Sequence, residues 1–210
     1  MALPDNHENA LQTVVLQCSD ARWRRRMAYY TGDHPKVWAT PKLMETFRDL
    51  ADSMVENYCG LAINSRISRL EIEGWDGDER ALDIWTKAGL PQRQDVLYRW
   101  GLVHGKVFVM VQDDHIAVNP ATVAYVQPDP DDWTLNAWAG KAWLDFDSGK
   151  WQAILWDEND IYRYDGPVHT PYMPNAQNID RIPAGQDFVL SSVDRHGYGE
   201  VTVYECQPWG

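Results

Sequence analysis

The sequence predicts an α+β fold, with N-terminal helices followed by a mainly antiparallel β meander. Three observations predict it. The first hundred residues carry apolar side chains at helical spacing, as in Leu43, Phe47, Leu50, Met54 and Tyr58. From Lys106 onward, β-branched and aromatic residues gather in short runs. Turn sequences such as Asp147-Ser148-Gly149-Lys150 separate those runs. A chain of 210 residues buries a sizeable core without metals or disulfides. The reading divides it into an N-terminal helical segment leading into the first strand, residues 1–75, and an α+β region, residues 76–210.

Element by element, Asp5-Asn6-His7-Glu8 has the shape of a capping box with Asp5 as the cap. Ala10, Leu11, Val14, Val15 and Cys18 then follow at helical spacing, and a second helix holds Ala21, Trp23, Met27 and Tyr30. Gly32 and Pro35 break the pattern. Thr40-Pro41 opens a helix expected to end near Gly60, and Leu61 to Arg69 continues as another. Leu70 to Trp75 alternates apolar and acidic residues, which predicts a half-buried strand. Short helices follow around Ala81–Ala88, stopped by Gly89, and from Pro91 through Val103. Lys106–Gln112, Ile116–Val118, Val123–Gln127, Trp138–Phe146, Trp151–Trp156, Ile161–Tyr164 and Val201–Cys206 read as strands, with residues 165–187 a long proline-bearing loop.

Charge narrows the function. Nineteen basic residues stand against thirty-one acidic ones, a net charge of −12. Residues 1–75 hold nine basic and ten acidic residues, so nearly all of the excess lies in residues 76–210. Such a surface repels phosphate at long range and argues against a sequence-reading DNA binder. Three scattered cysteines, Cys18, Cys59 and Cys206, form no metal or redox spacing and fit a reducing compartment. No apolar run is long enough for a membrane span, and no signal segment opens the chain.

Catalytic signatures are missing from the sequence. It holds no phosphate-cradling glycine loop, no HExxH and no GxSxG. Asp145-x-Asp147-x-Gly149 starts like a calcium loop, but position twelve is Trp156. His104 and His115 lack further ligands, and His104 is expected as a satisfied structural histidine. No catalytic residue, metal ligand or cofactor-binding residue is assigned, and no cofactor is expected. Eleven tryptophans, seven of them after residue 90, fit core packing of strands. A carbohydrate-binding module with a Trp-rich sheet is the alternative, but alternation sends Trp138 and Trp143, and likewise Trp151 and Trp156, to opposite faces. A hydrolase built on paired carboxylates is a third reading without a signature of its own. The candidate interaction residues are Arg22, Arg24, Arg25, Arg26, Tyr29 and Tyr30, a basic and aromatic cluster on an acidic chain.

The order of segments resembles the N-terminal part of the portal proteins of tailed double-stranded-DNA bacteriophages, in the branch common in long-tailed phages of actinobacteria. The likeness rests on Tyr29-Tyr30-x-Gly32-x-His34-Pro35, then Asn57-Tyr58-Cys59, then Ile67-x-Arg69-Leu70-x-Ile72-x-Gly74-Trp75. It continues through Ile84-Trp85, Leu97-Tyr98-Arg99-Trp100-Gly101, Val109-Met110-Val111, Asn119-Pro120, Val126-Gln127-Pro128-Asp129, Lys141-Ala142-Trp143 and Ile161-Tyr162-Arg163-Tyr164. It covers roughly residues 20–210, and its specificity lies in order and spacing rather than in one motif.

The resemblance implies a wing-like region of a structural ring subunit, not an enzyme, with the channel helix, clip and tunnel loop of the family absent from these residues. It implies as partners other copies of the chain, a dodecamer in the full-length protein, together with the terminase, the major capsid and scaffold proteins and the head-tail connector protein. It also implies transient, non-specific contact with double-stranded DNA and none with membrane. The location implied is the portal vertex of the virion, after assembly in the bacterial host cytoplasm. The six cluster residues are then expected at subunit contacts.

Overall fold

The computed structural model describes residues 6–33, 42, 45, 57–72, 79–112, 115–168 and 182–207. Helices α1 (His7–Cys18), α2 (Ala21–Thr31), α3 (Tyr58–Ile67), α4 (Glu79–Lys87) and α5 (Gln94–His104) precede the strands. These are β1 (Val107–Gln112), β2 (His115–Pro120), β3 (Ala124–Pro128), β4 (Asn136–Asp145), β5 (Lys150–Trp156), β6 (Asp160–Val168), β7 (Val189–Arg195) and β8 (Val203–Cys206). A 3-10 turn at Gly185–Asp187 leads into β7. The fold is α+β, as the sequence predicts.

The strands form two antiparallel sheets, one of five strands in the order β3-β4-β5-β6-β7 and one of three in the order β2-β1-β8. Because side chains alternate along a strand, each face has its own cover. On one face of the larger sheet, Trp138, Ala142, Trp151, Ala153, Leu155 and Tyr164 meet Leu11, Val14, Val15 and Cys18 of α1. On the other, Ala139, Ile154, Trp156 and Ile161 meet Phe108 and Val203 of the smaller sheet. The far side of the smaller sheet, with Val109, Val111, Ile116 and Val118, packs against Trp85, Leu90 and Leu97 of the α4–α5 region. The order of layers is therefore α1, large sheet, small sheet, helices. Full burial of each large apolar side chain stabilises the fold by about 1.5–3 kcal/mol.

Helix α1 begins because the Asn6 side chain accepts a hydrogen bond from the Glu8 N–H at 3.0 Å, so Asn6 and not Asp5 is the cap. Glycine then permits its close seat. A methyl group on Gly140 of β4 would lie 2.3 Å from Val14 Cγ2, and one on Gly185 would lie 2.5 Å from the Gln12 backbone nitrogen. The Gly185 N–H donates to Gln12 Oε1 at 2.8 Å, which ties the turn before β7 to the middle of α1.

Four expectations are corrected. Gly60 lies near the start of a helix rather than at the end of one: Asn57 Oδ1 accepts from the Gly60 N–H at 2.7 Å and caps α3, while Asn57 Nδ2 donates to the Tyr30 carbonyl. Leu70–Ile72 joins neither sheet; Gln94 Oε1 accepts the Ile72 N–H at 3.1 Å. β6 extends to Val168, into the loop expected over residues 165–187, and β7, just after that loop, is a further strand, exposed along its whole length and therefore without alternation to reveal it. The last strand leaves the meander and pairs with β1, Val203 facing Met110. The apolar positions Leu43, Phe47, Leu50 and Met54, and residues 73–75 of the expected strand, lie outside the described residues.

The two glycine contacts make a direct prediction. Gly185→Ala pushes a methyl group into α1 backbone atoms that cannot rotate away, and should destabilise the chain by roughly 2 kcal/mol or more. Gly140→Ala meets only side chains but a β-branched one, and should cost about 1–3 kcal/mol. Equilibrium denaturant unfolding measures both; alanine variants as stable as the parent would show that α1 does not sit at this distance.

Candidate functional site

The candidate residues lie on α2, separated from α1 by the two residues Ser19 and Asp20. Asp20 caps it, accepting the Arg22 N–H at 2.8 Å, and pairs with the Arg22 guanidinium at 2.7 Å. That pairing holds the exposed Asp20 carboxyl below its usual range. Trp23 anchors the helix. It is 5% exposed, and its indole N–H donates to the Gln17 carbonyl at 2.8 Å. Arg22 and Arg26 stand over its ring at 5.3 Å each, with Lys106 at 5.8 Å. Arg26 also donates to the His104 carbonyl, and Lys106 pairs with Glu205 at 3.2 Å. These side chains line an open groove of about 580 Å³.

The structure thus divides the cluster. Arg22 and Arg26 both stand over Trp23, but only Arg26 reaches across to the end of α5, while Arg22 pairs with Asp20. Arg24 lies at the rim of a second cavity of about 300 Å³, lined by Trp143, Leu144, Phe146, Trp151 and Ile182. Arg25 is exposed on α2. Tyr30 donates to Asn64 Oδ1 at 3.0 Å and so joins α2 to α3, while Tyr29 is 44% exposed. Sequence reading left out Lys106 and the exposed aromatics Trp133 and Phe146, each 84% exposed. The signal for the last two was available: each is a large aromatic directly beside carboxylates, in Asp132-Trp133 and Asp145-Phe146-Asp147.

Five tryptophans, Trp23, Trp85, Trp138, Trp151 and Trp156, are core residues. Trp138 and Trp151 face α1, and Trp156 faces the small sheet, all under 10% exposed. They offer no shared stacking platform for a sugar. Among the described residues no three of the His, Cys, Asp and Glu side chains gather as a metal site. An acidic cleft of about 440 Å³ holds Asp129, Asp157, Glu158 and Glu200. Asp157 is committed to its turn, accepting from the backbone N–H groups of Asn159 and Asp160 and from the Tyr162 hydroxyl. Ser191 donates to the Arg163 carbonyl on an exposed strand. Burial pushes the Cys18 thiol up to about 12, which keeps it protonated and unreactive.

His104 departs from expectation. It is 1% exposed, but neither ring nitrogen has a hydrogen-bond partner. Aromatic contacts hold it instead: Trp100 stacks on it at 5.4 Å, and Trp23 meets it edge-on at 5.8 Å. Burial, and secondarily the Arg26 charge, push its pKa from 6.5 down to about 4. Above pH 6.5 the ring is neutral in both folded and unfolded chains and adds no pH dependence. Between pH 6.5 and 4 only the unfolded chain gains the proton, so stability falls as pH falls; below 4 the loss levels off. The size is on the order of 2–3 kcal/mol.

His104→Phe should remove that loss while keeping the aromatic stack, read as denaturant midpoints across the window. A variant whose midpoint falls as steeply as the parent's between pH 6.5 and 4 would assign the effect elsewhere. The carboxyls held low by local hydrogen bonds, Asp20, Asp132 and Asp145, begin to lose their contribution only as pH nears their ordinary value of 3.8, so they overlap only the acid end of the window. Compared with known proteins, the chain matches no protein-family model, and no curated protein matches it significantly.

Proposed function

We propose that this chain is the N-terminal, wing-like part of a portal ring subunit of a tailed double-stranded-DNA bacteriophage, with a structural and not a catalytic role. The observation that carries the reading is the order and spacing of its segments, from Tyr29-Tyr30-x-Gly32 through Ile161-Tyr162-Arg163-Tyr164. On this reading the partners are other copies of the chain in a dodecameric ring, the terminase, the capsid and scaffold proteins, and the head-tail connector protein. Duplex DNA is a transient partner, and the working location is the portal vertex.

Physical features support the reading. The net charge of −12 suits a body that neighbours DNA without gripping it, since like charge keeps the duplex hydrated and mobile. The exposed cations of α2, set on that acidic chain, suit contact with an acidic partner such as another copy. Asp157 of the acidic cleft and Ser191 of β7 are engaged in a turn and a strand contact rather than poised around a reacting atom.

The test is assembly. The full reading frame that contains this chain should yield closed rings by native mass spectrometry and electron microscopy; monomers at every concentration would overturn the proposal. Reversing charge at Arg24 and Arg25 together (Arg24→Glu, Arg25→Glu) should weaken ring formation. Arg26 is left intact in that variant because it also holds Trp23 and the His104 carbonyl. Unchanged rings would remove α2 from the subunit contact.

A further inference from the structure

Two features lie at opposite ends of β4. Before its first residue stands the loop Pro128-Asp129-Pro130-Asp131-Asp132-Trp133, and after its last stands Phe146. The ten-residue strand between them spans about 33 Å. The loop is braced from within. The Asp129 N–H donates to the Leu135 carbonyl at 2.9 Å, and the Asp131 N–H to Asp129 Oδ1 at 2.8 Å. Asp132 Oδ1 accepts from both the N–H and the hydroxyl of Thr134, at 3.0 and 2.6 Å. Two prolines stiffen it further. This braced loop holds Trp133 out at 84% exposure, with Leu135 beside it at 56%. An indole fixed in this way loses little conformational freedom on docking.

At the other end lies the cavity of about 300 Å³ walled by Trp143, Leu144, Phe146, Trp151 and Ile182, with Arg24 on its rim. Its size is at the small end of the range for ligand clefts, suited to one aromatic side chain. Knob and hole match in polarity and in one charge pairing: an indole flanked by Asp131 and Asp132, and an apolar cavity with Arg24 in its lining, while Asp145 beside Phe146 is engaged by the Asp147 N–H and the Ser148 hydroxyl. The guanidinium at the rim also favours an aromatic face. With a strand's length between them, one copy cannot fill its own cavity.

We propose that Trp133 of one copy docks in the Trp143–Phe146–Trp151 cavity of the next, with Asp131 and Asp132 set against Arg24. The contact is head-to-tail, each copy giving a knob at one end and a hole at the other, so it propagates in one direction and closes when the rotation permits. This rests on the reading above that copies of the chain stand side by side in a ring, and it names their contact.

Two variants separate the halves of the contact. Trp133→Ala removes the knob and keeps the hole; Phe146→Asp spoils the hole and keeps the knob. Both positions are exposed, so folding should be unaffected, as circular dichroism and thermal melts would verify. In sedimentation velocity over a concentration series, the 210-residue chain should self-associate. Each variant alone should raise the dissociation constant at least tenfold, the effect of losing an interface anchor of roughly this kind. An equal mixture of the two should form a 1:1 heterodimer and stop there, because only one competent knob and one competent hole remain.

Association of either variant equal to the parent's overturns the proposal, as does a mixture that restores nothing, or a parent chain that stays monomeric to millimolar concentration. The same substitutions in the full reading frame keep this result apart from the portal reading. Rings unchanged by Trp133→Ala overturn the contact and leave the ring standing. A complementing heterodimer from a frame that makes no ring supports the contact and removes the portal reading.

Discussion

Helix α1 sits on the large sheet at a distance that only glycine allows, and the placement of the other helical features depends on that seat. Gly140 lets Val14 reach the sheet, and Gly185 lets the turn before β7 touch the α1 backbone. With α1 fixed, Ser19 and Asp20 leave α2 little choice of direction, since Asp20 is already its cap. Trp23 then reaches back to the Gln17 carbonyl at the end of α1 and forward to the aromatic stack at His104. The arginine-bearing helix is thereby clamped between the end of α1, the end of α5 and the start of β1. A covalently short link and one buried indole convert a helix-on-sheet contact into the position of a charged surface.

The clamp also explains why an imidazole without hydrogen bonds persists in the core. A buried polar ring without partners costs free energy. The cost is limited here because the ring stays neutral, and because two tryptophans supply edge and face contacts in place of hydrogen bonds. Arg26, held nearby by the Trp23 ring and the His104 carbonyl, adds positive charge that disfavours protonation further. The same residues that fix α2 therefore keep His104 uncharged.

Legibility in the sequence followed burial. Helix α1 was readable because it buries one face at the helical period, and the strands from β1 to β6 because cover on both sheet faces gathers apolar and aromatic residues into short runs. Strand β7 was not, because Val189, Leu190 and Val193 are exposed and nothing selects an alternation. The start of α3 was hidden for a different reason: Tyr58 continues the apolar spacing of Met54 and Leu50, which overrides the cap signal of Asn57, whose Oδ1 accepts from Gly60 and whose Nδ2 reaches the Tyr30 carbonyl, 27 residues upstream. The arginine cluster was legible as a charged run. Its division into a structural pair around Trp23 and an outward pair was not, since that depends on where α5 and β1 arrive.

Like-charged bodies associate only where local complementarity overrides their mean field. Two copies carrying a net charge of −12 repel each other across solvent, and salt screens that repulsion beyond about 10 Å at 0.1 M. A docked indole contributes through burial, which salt does not weaken, and the adjoining Asp–Arg pairs lose water on docking and are screened less than exposed ones. The long-range term opposing contact therefore fades with ionic strength faster than the short-range terms favouring it. An acidic excess concentrated in residues 76–210, with four of the nineteen cations close together on α2, also penalises registries that bring two acidic faces together. On the proposed ring reading, the general charge would act against wrong approaches, and the α2 face would favour approach.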